Sequence, residues 1–143
     1  MSESTLLTGS ESTTTTAVLK RYAVLTVLTS VAIFCQAVTA GQFVNKDGAD
    51  NWIAVHGVTA DVSWVLALLT AAYALKAIRS SQPALAYCSA ILFVITLAQT
   101  GLGHLITDDG DDGLVAIHIP LAFVIFGLTI WISARALRLS SSS

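Results

Sequence analysis

The chain has 143 residues, of which 55% are hydrophobic and 11% charged, and its mean hydropathy is +0.76. A soluble domain carries about 25% charged residues, so this composition excludes a water-exposed globular fold and indicates an integral membrane protein. The formal net charge of −2 excludes the basic surface that nucleic-acid binding requires.

The N-terminal stretch is rich in serine and threonine and has no hydrophobic period. We predict that residues 1–19 form a disordered cytoplasmic tail and that residues 139–143, which include four consecutive serines, form a second disordered tail. Residues 20–138 are predicted to form a single transmembrane domain.

Four apolar stretches follow one another along this domain, at residues 22–44, 52–75, 84–106 and 114–134. Each is long enough to cross about 30 Å of hydrocarbon at 1.5 Å per helical residue. The connections between them are short and polar, which forces neighbouring helices to run antiparallel. The sequence therefore predicts an all-α, up-down-up-down four-helix bundle in which the second and fourth helices are diagonal partners.

The cations predict the orientation of the bundle. Six of the seven fall on one side, and Lys46 lies on the other. The six are Lys20, Arg21, Lys76, Arg79, Arg135 and Arg138. By the positive-inside rule both termini are cytoplasmic, in the plasma membrane of a prokaryotic cell since no organelle-targeting feature is present. A signal peptide cleaved after residues 38–40 is the alternative, but the first apolar stretch is longer than a signal core.

Two histidines lie at matched depth in the second and fourth spans. His56 is five residues beyond Asn51, and His118 is five residues beyond Gly113, so each is about 7 Å inside the outer boundary. Diagonal helices are about 11 to 14 Å apart if neighbours pack at 8 to 10 Å, a gap that two imidazoles and an iron ion nearly fill.

Such a pair predicts bis-histidine ligation of a b-type haem, with His56 and His118 as the iron ligands. The sequence contains no CxxCH motif, so the haem b is predicted to be bound non-covalently. The alternative is that each histidine only bonds a backbone carbonyl of a neighbouring helix.

The third histidine, His104, ends the third span at the outer face. We predict either an interfacial residue or an additional cofactor-binding residue, as a haem propionate partner, a proton donor or a third metal ligand. Pro120, two residues after His118, is expected to bend the fourth helix.

Other polar and aromatic residues suggest further contacts. Asp61, the acid inside the second span, and Gln99 could meet at one level across the bundle, and Gln36 could join them. Tyr22 and Trp52, at opposite ends of their spans, are typical of interfacial anchors.

Four short motifs hold these polar residues: Gln36 with Thr39-Ala40-Gly41, Val55-His56-Gly57, Gln99-Thr100-Gly101-Leu102-Gly103, and Ala116-Ile117-His118. Together they resemble one four-helix half of the haem A synthase family over about residues 22–135. The layout is also similar to that of small four-helix membrane haem proteins of unassigned function.

The resemblance implies that His56 and His118 are axial haem ligands, and that a chain of half length pairs with itself as a homodimer. The family carries a glutamate three residues before its second-span histidine, where this chain has Ile53. Oxidation of the haem methyl group is therefore not expected here.

The leading functional hypothesis is a membrane-embedded b-type haem protein near the outer leaflet, for electron transfer with a redox partner or quinone, or for haem handling. A haem-modifying or quinol-oxidising enzyme is the second, and a cofactor-free accessory membrane subunit is the third. A copper or zinc site built from His56, His104 and His118 is a fourth.

Overall fold

The computed structural model describes the backbone of residues 3–43, 50–110 and 112–142. In these ranges the chain forms α1 (Glu3–Phe43), α2 (Asp50–Ala77), α3 (Pro83–Asp109) and α4 (Val115–Ser141), with a short 3-10 turn at Asp112–Leu114 before α4. The described residues contain no strand.

All four helices are long and apolar enough to cross a membrane. Their apolar segments are Thr15–Gln42, Asn51–Ala77, Pro83–Asp108 and Val115–Ser141, and most residues of each face outward. Outward-facing valine, leucine and isoleucine side chains suit contact with lipid tails. The chain is therefore a multi-pass membrane protein, and the predicted all-α four-helix bundle is confirmed.

The helices form a closed ring of neighbours. α1 packs against α2 and α4, and α3 packs against the same two helices. In the described residues α2 and α4 make no close backbone approach to each other, so they are diagonal partners, as the short connections predict.

Hydroxyl pairs connect α1 to each of the other three helices. In a membrane the apolar faces gain nothing by leaving lipid, so small residues and interhelical hydrogen bonds hold the helices together. The pairs are Thr29–Thr70 at 2.9 Å to α2, Ser30–Ser133 at 2.8 Å to α4, and Tyr22–Ser89 at 2.8 Å to α3. All six side chains are buried.

The ends of the chain differ from the predicted disordered tails. α1 already begins at Glu3 and α4 continues to Ser141, so residues 3–19 and 139–141 are helical. Once a helix has formed, each further residue adds a backbone hydrogen bond. Leu19 is also buried in the core and Val18 packs against it, which stabilises the start of the first span.

The predicted interfacial role of Tyr22 is wrong. Its side chain is 0% exposed, and its hydroxyl bonds Ser89 inside the bundle. Tyr22 lies on the face of α1 that also carries Thr26 and Thr29, so the rotation of the helix directs the ring inward. Trp52, in the first turn of α2, is 37% exposed, and its interfacial role stays a prediction.

Two loop features fix the ends of α3. Pro83 occupies the first turn, where its missing N–H costs no hydrogen bond. Gly110 ends the helix with a φ of 70°, and its N–H bonds the carbonyl of Leu105. Glycine adopts this left-handed conformation without strain, which allows the chain to turn sharply towards α4.

Candidate functional site

Two of the hydroxyl pairs serve as reference points for comparing the depth of His56 on α2 with that of His118 on α4. Adjacent residues of α1 bond Thr70 of α2 and Ser133 of α4. His56 precedes Thr70 by 14 residues and His118 precedes Ser133 by 15 residues, distances of about 21 and 23 Å along the two helices. The histidines therefore lie at nearly the same depth on opposite helices.

The His56 ring is oriented by a hydroxyl of the neighbouring helix. Nδ1 of His56 lies 2.9 Å from Oγ1 of Thr39, and this hydroxyl donates its hydrogen to the carbonyl of Gln36 at 3.0 Å. When the single hydroxyl hydrogen of Thr39 goes to the Gln36 carbonyl, Nδ1 of His56 carries a hydrogen and donates it to Thr39. This tautomer places the lone pair on Nε2, the form in which a histidine binds a metal.

Gln36 holds the backbone of α2 at the same place. Its Nε2 donates to the carbonyl of His56 at 2.8 Å and also bonds the hydroxyl of Thr59. The Thr59 hydroxyl in turn donates to a carbonyl of its own helix. The position of His56 is thereby fixed through both its ring and its main chain.

The second pair of helices repeats part of this arrangement. Nε2 of Gln99 on α3 donates to the carbonyl of His118 on α4 at 2.8 Å, as Gln36 does to His56. The glutamine and the histidine are separated by 20 residues in the first pair of helices and 19 in the second. The two helical hairpins therefore hold the backbone carbonyls of their histidines in the same way.

The ring of His118 differs from that of His56. Its Nδ1 is buried and has no hydrogen-bond partner among the described residues, and the same holds for Oε1 of Gln99. The residue three positions after Gln99 is Leu102, whereas Thr39 stands three positions after Gln36. Leucine has no hydroxyl, so the second hairpin lacks the group that orients the His56 ring.

Gly103 of α3 lies next to the ring of His118. A Cβ on Gly103 would lie 3.5 Å from Cε1 of His118, an ordinary van der Waals contact. Both rings are half-buried, and they are near enough to interact electrostatically. The glycine allows the backbone of α3 to lie close to the His118 ring.

His104 does not join the pair. Its side chain is 59% exposed, and Nδ1 lies 3.5 Å from a carboxylate oxygen of Asp108 on the next turn. Five helical residues rotate His104 by about 140° from the inward-facing Gln99. In the part of the chain that the structure describes, no three histidine, cysteine or acidic side chains lie close enough to hold a metal ion, so the predicted three-histidine site is not formed.

The predicted contact between Asp61 and Gln99 is wrong. Asp61 is exposed on the outer surface of α2, where its carboxylate accepts a hydrogen bond of 3.1 Å from Nε1 of Trp64. Gln99 bonds His118 instead. Asp61 is five residues from His56, so it lies about 140° around the helix from the inward-facing ring.

Sequence reasoning missed the roles of Thr39, Gln36 and Gln99 as partners of the histidine segments. The available signal was the nearly constant spacing between glutamine and histidine in the two hairpins. Cys35 and Cys88 are free thiols.

The residues present fit a haem iron. Two imidazoles on diagonal helices, at one depth and near enough to interact electrostatically, are the donor set that low-spin haem iron takes.

Comparison of the chain with protein-family models, curated proteins and solved structures gives no match. What the sequence and structure establish together is a four-helix, multi-pass membrane protein with a depth-matched histidine pair.

Proposed function

We propose that this chain is a membrane protein that holds one b-type haem non-covalently between His56 and His118, and that it transfers electrons or handles haem near the outer leaflet. The observation that carries the proposal is the histidine pair itself. Each histidine lies at the same depth on a diagonal helix, and each has its carbonyl held by a glutamine of the preceding helix.

A bound haem would supply a one-electron redox centre inside the membrane. His56 and His118 would hold the haem through its iron, and ligation by two histidines favours electron transfer over oxygen chemistry. Thr39 would keep the hydrogen of His56 on Nδ1, so that Nε2 stays available as a ligand.

The proposed partners follow from the position of the site. The histidines lie near the outer ends of α2 and α4, so electrons would be exchanged with a quinone in the membrane or a redox protein at the outer surface. The distribution of the cations supports a prokaryotic plasma membrane with both termini in the cytoplasm.

The test is an optical spectrum of the full chain, purified from cells supplied with excess haem. We expect the reduced-minus-oxidised difference spectrum of a low-spin b-type cytochrome, with about one haem per chain because the bundle offers one such pair. A chain that folds and remains colourless under these conditions would contradict the proposal.

We also propose that a second copy of the chain packs against the outer face of α2. Asp61 lies about 15 Å from the outer end of this helix, near the middle of the hydrocarbon. A carboxylate exposed there costs about 3 kcal/mol. A symmetric partner can relieve this cost, because it would cover Asp61 and the Trp64 N–H bonded to it and remove both from lipid.

Cysteine cross-linking tests this dimer. With Cys35 and Cys88 replaced by serine, Val58→Cys places a thiol one turn from Asp61 on a residue that is 64% exposed. We expect a disulfide-linked dimer in membranes, and much less of it when Asp61→Ala is added. The matched control is Val94→Cys on α3, 60% exposed, which should remain monomeric. Equal cross-linking at the two positions would count against the α2 interface.

A further inference from the structure

We infer that the two histidines are unequal ligands: His56 is the fixed one, and His118 is the exchangeable one, so that a small neutral molecule can take its place from the α4 side. This inference rests on the proposed haem site. It concerns the residues that orient each ring, which differ between the two hairpins.

The His56 ring is held by a continuous chain of hydrogen bonds. Nδ1–H of His56 donates to Thr39, and Thr39 donates to the carbonyl of Gln36. Any rotation of the ring away from the bundle axis breaks the first of these bonds. In a half-buried site the loss of this hydrogen bond is unfavourable, because its donor is not rehydrated.

The His118 ring has no such restraint among the described residues. Its carbonyl is held by Gln99, but its buried Nδ1 has no partner. Rotation about the side-chain bonds of His118 therefore breaks no hydrogen bond of the ring. Gly103 lies next to Cε1 of His118 and has no side chain that could hold the ring in place.

The same difference affects the strength of each histidine as a ligand. A hydrogen bond from Nδ1–H to an oxygen raises the basicity of Nε2, and loss of such a partner typically lowers metal affinity about 10- to 100-fold. His56 has this oxygen in Thr39, and His118 has Leu102 at the matching position of its hairpin. The bond to His118 is then the weaker of the two and the first to open.

The chemistry of the pocket selects the incoming molecule. The residues of α4 that flank His118 in the sequence are apolar, and a charged ligand would lose its hydration beside them. A small neutral diatomic molecule meets no such cost. Carbon monoxide is therefore the probe that the inference predicts to bind after reduction.

The first experiment compares the two single variants of the full chain after loading with haem. His118→Ala should retain haem as a high-spin species, because His56 remains oriented, and should bind carbon monoxide at once. His56→Ala should lose most of its haem during purification, because the remaining ring is not held. The opposite pattern, or equal retention by the two variants, would overturn the inference.

The second experiment changes the hydroxyl and leaves both histidines in place. Thr39→Val should lower haem affinity about 10-fold, and Leu102→Thr should slow carbon monoxide binding about 10-fold, since it offers Nδ1 of His118 an oxygen. Thr100→Val is the matched control, because the Thr100 hydroxyl bonds only its own helix at Thr96. If Thr39→Val and Thr100→Val have the same affinity, the inference is wrong.

These outcomes are separate from a failure of the proposed function. If the unmodified chain binds no haem, the haem site itself is refuted. If the unmodified chain binds haem with both histidines but the variants show no difference between the two sides, the site stands and the inequality of its ligands is refuted.

Discussion

A chain in which His56 and His118 are both replaced by alanine is expected to bind no haem, and its absorption spectrum should show protein bands alone. Two facing imidazoles are the donors that the bundle places at one depth, and alanine leaves no atom in either position that can bind iron. The measurement is haem content per chain after purification from haem-supplied cells, beside a circular dichroism spectrum that verifies the helical fold.

The third histidine provides a matched control for this double substitution. His104→Ala removes an imidazole that is exposed and contacts Asp108, so its haem content and low-spin spectrum should equal those of the unmodified chain. A double variant that kept the low-spin spectrum would show that other residues bind the iron. Loss of haem in His104→Ala would show that this histidine belongs to the site after all.

Replacement of Tyr22 by alanine should destabilise the bundle by about 3 kcal/mol, the largest effect that we expect for a single residue outside the site. The ring is completely buried between α1 and α3, and its hydroxyl bonds Ser89 at 2.8 Å. Alanine would leave a cavity and remove the bond that connects these diagonal helices. Reversible unfolding in mixed detergent micelles measures the change in the free energy of unfolding.

Two further tyrosine variants separate packing from hydrogen bonding. Tyr22→Phe keeps the ring and should cost about 0.6 kcal/mol, a typical value for one hydrogen bond between membrane helices. Tyr87→Ala on α3 removes a tyrosine that is 55% exposed and should change stability by less than about 0.5 kcal/mol. If Tyr22→Ala were as mild as Tyr87→Ala, the buried position of Tyr22 would be contradicted.

The site shows which parts of the interior can be predicted from residue types. His56 and His118 stand at matched positions in two spans, and that regularity is visible in the sequence. The contacts of Gln36, Gln99 and Thr39 were not predicted, because several polar residues lay at compatible depths and the sequence did not indicate which of them face each other. Gln99 was assigned to Asp61 for this reason, whereas it bonds His118.

The rotation of each helix about its own axis could not be predicted from the sequence. In a soluble protein the apolar face of a helix marks the side that is buried, but here the surface is as apolar as the interior. Tyr22 and Asp61 were therefore both placed on the wrong side of the bundle. Tyr22 faces inward and Asp61 faces outward, although depth along the helix was the same in prediction and structure.

The sequence by itself determined that four helices cross the membrane, that their neighbours run antiparallel and that two histidines share one depth. These properties depend on length and hydropathy, because a helix must span a hydrocarbon layer of fixed thickness. The tertiary structure alone decided that Thr39 orients His56, that His118 has no equivalent partner among the described residues and that His104 lies outside the pair. Which faces meet is set by close packing and interhelical hydrogen bonds, since lipid and protein interior attract apolar side chains equally.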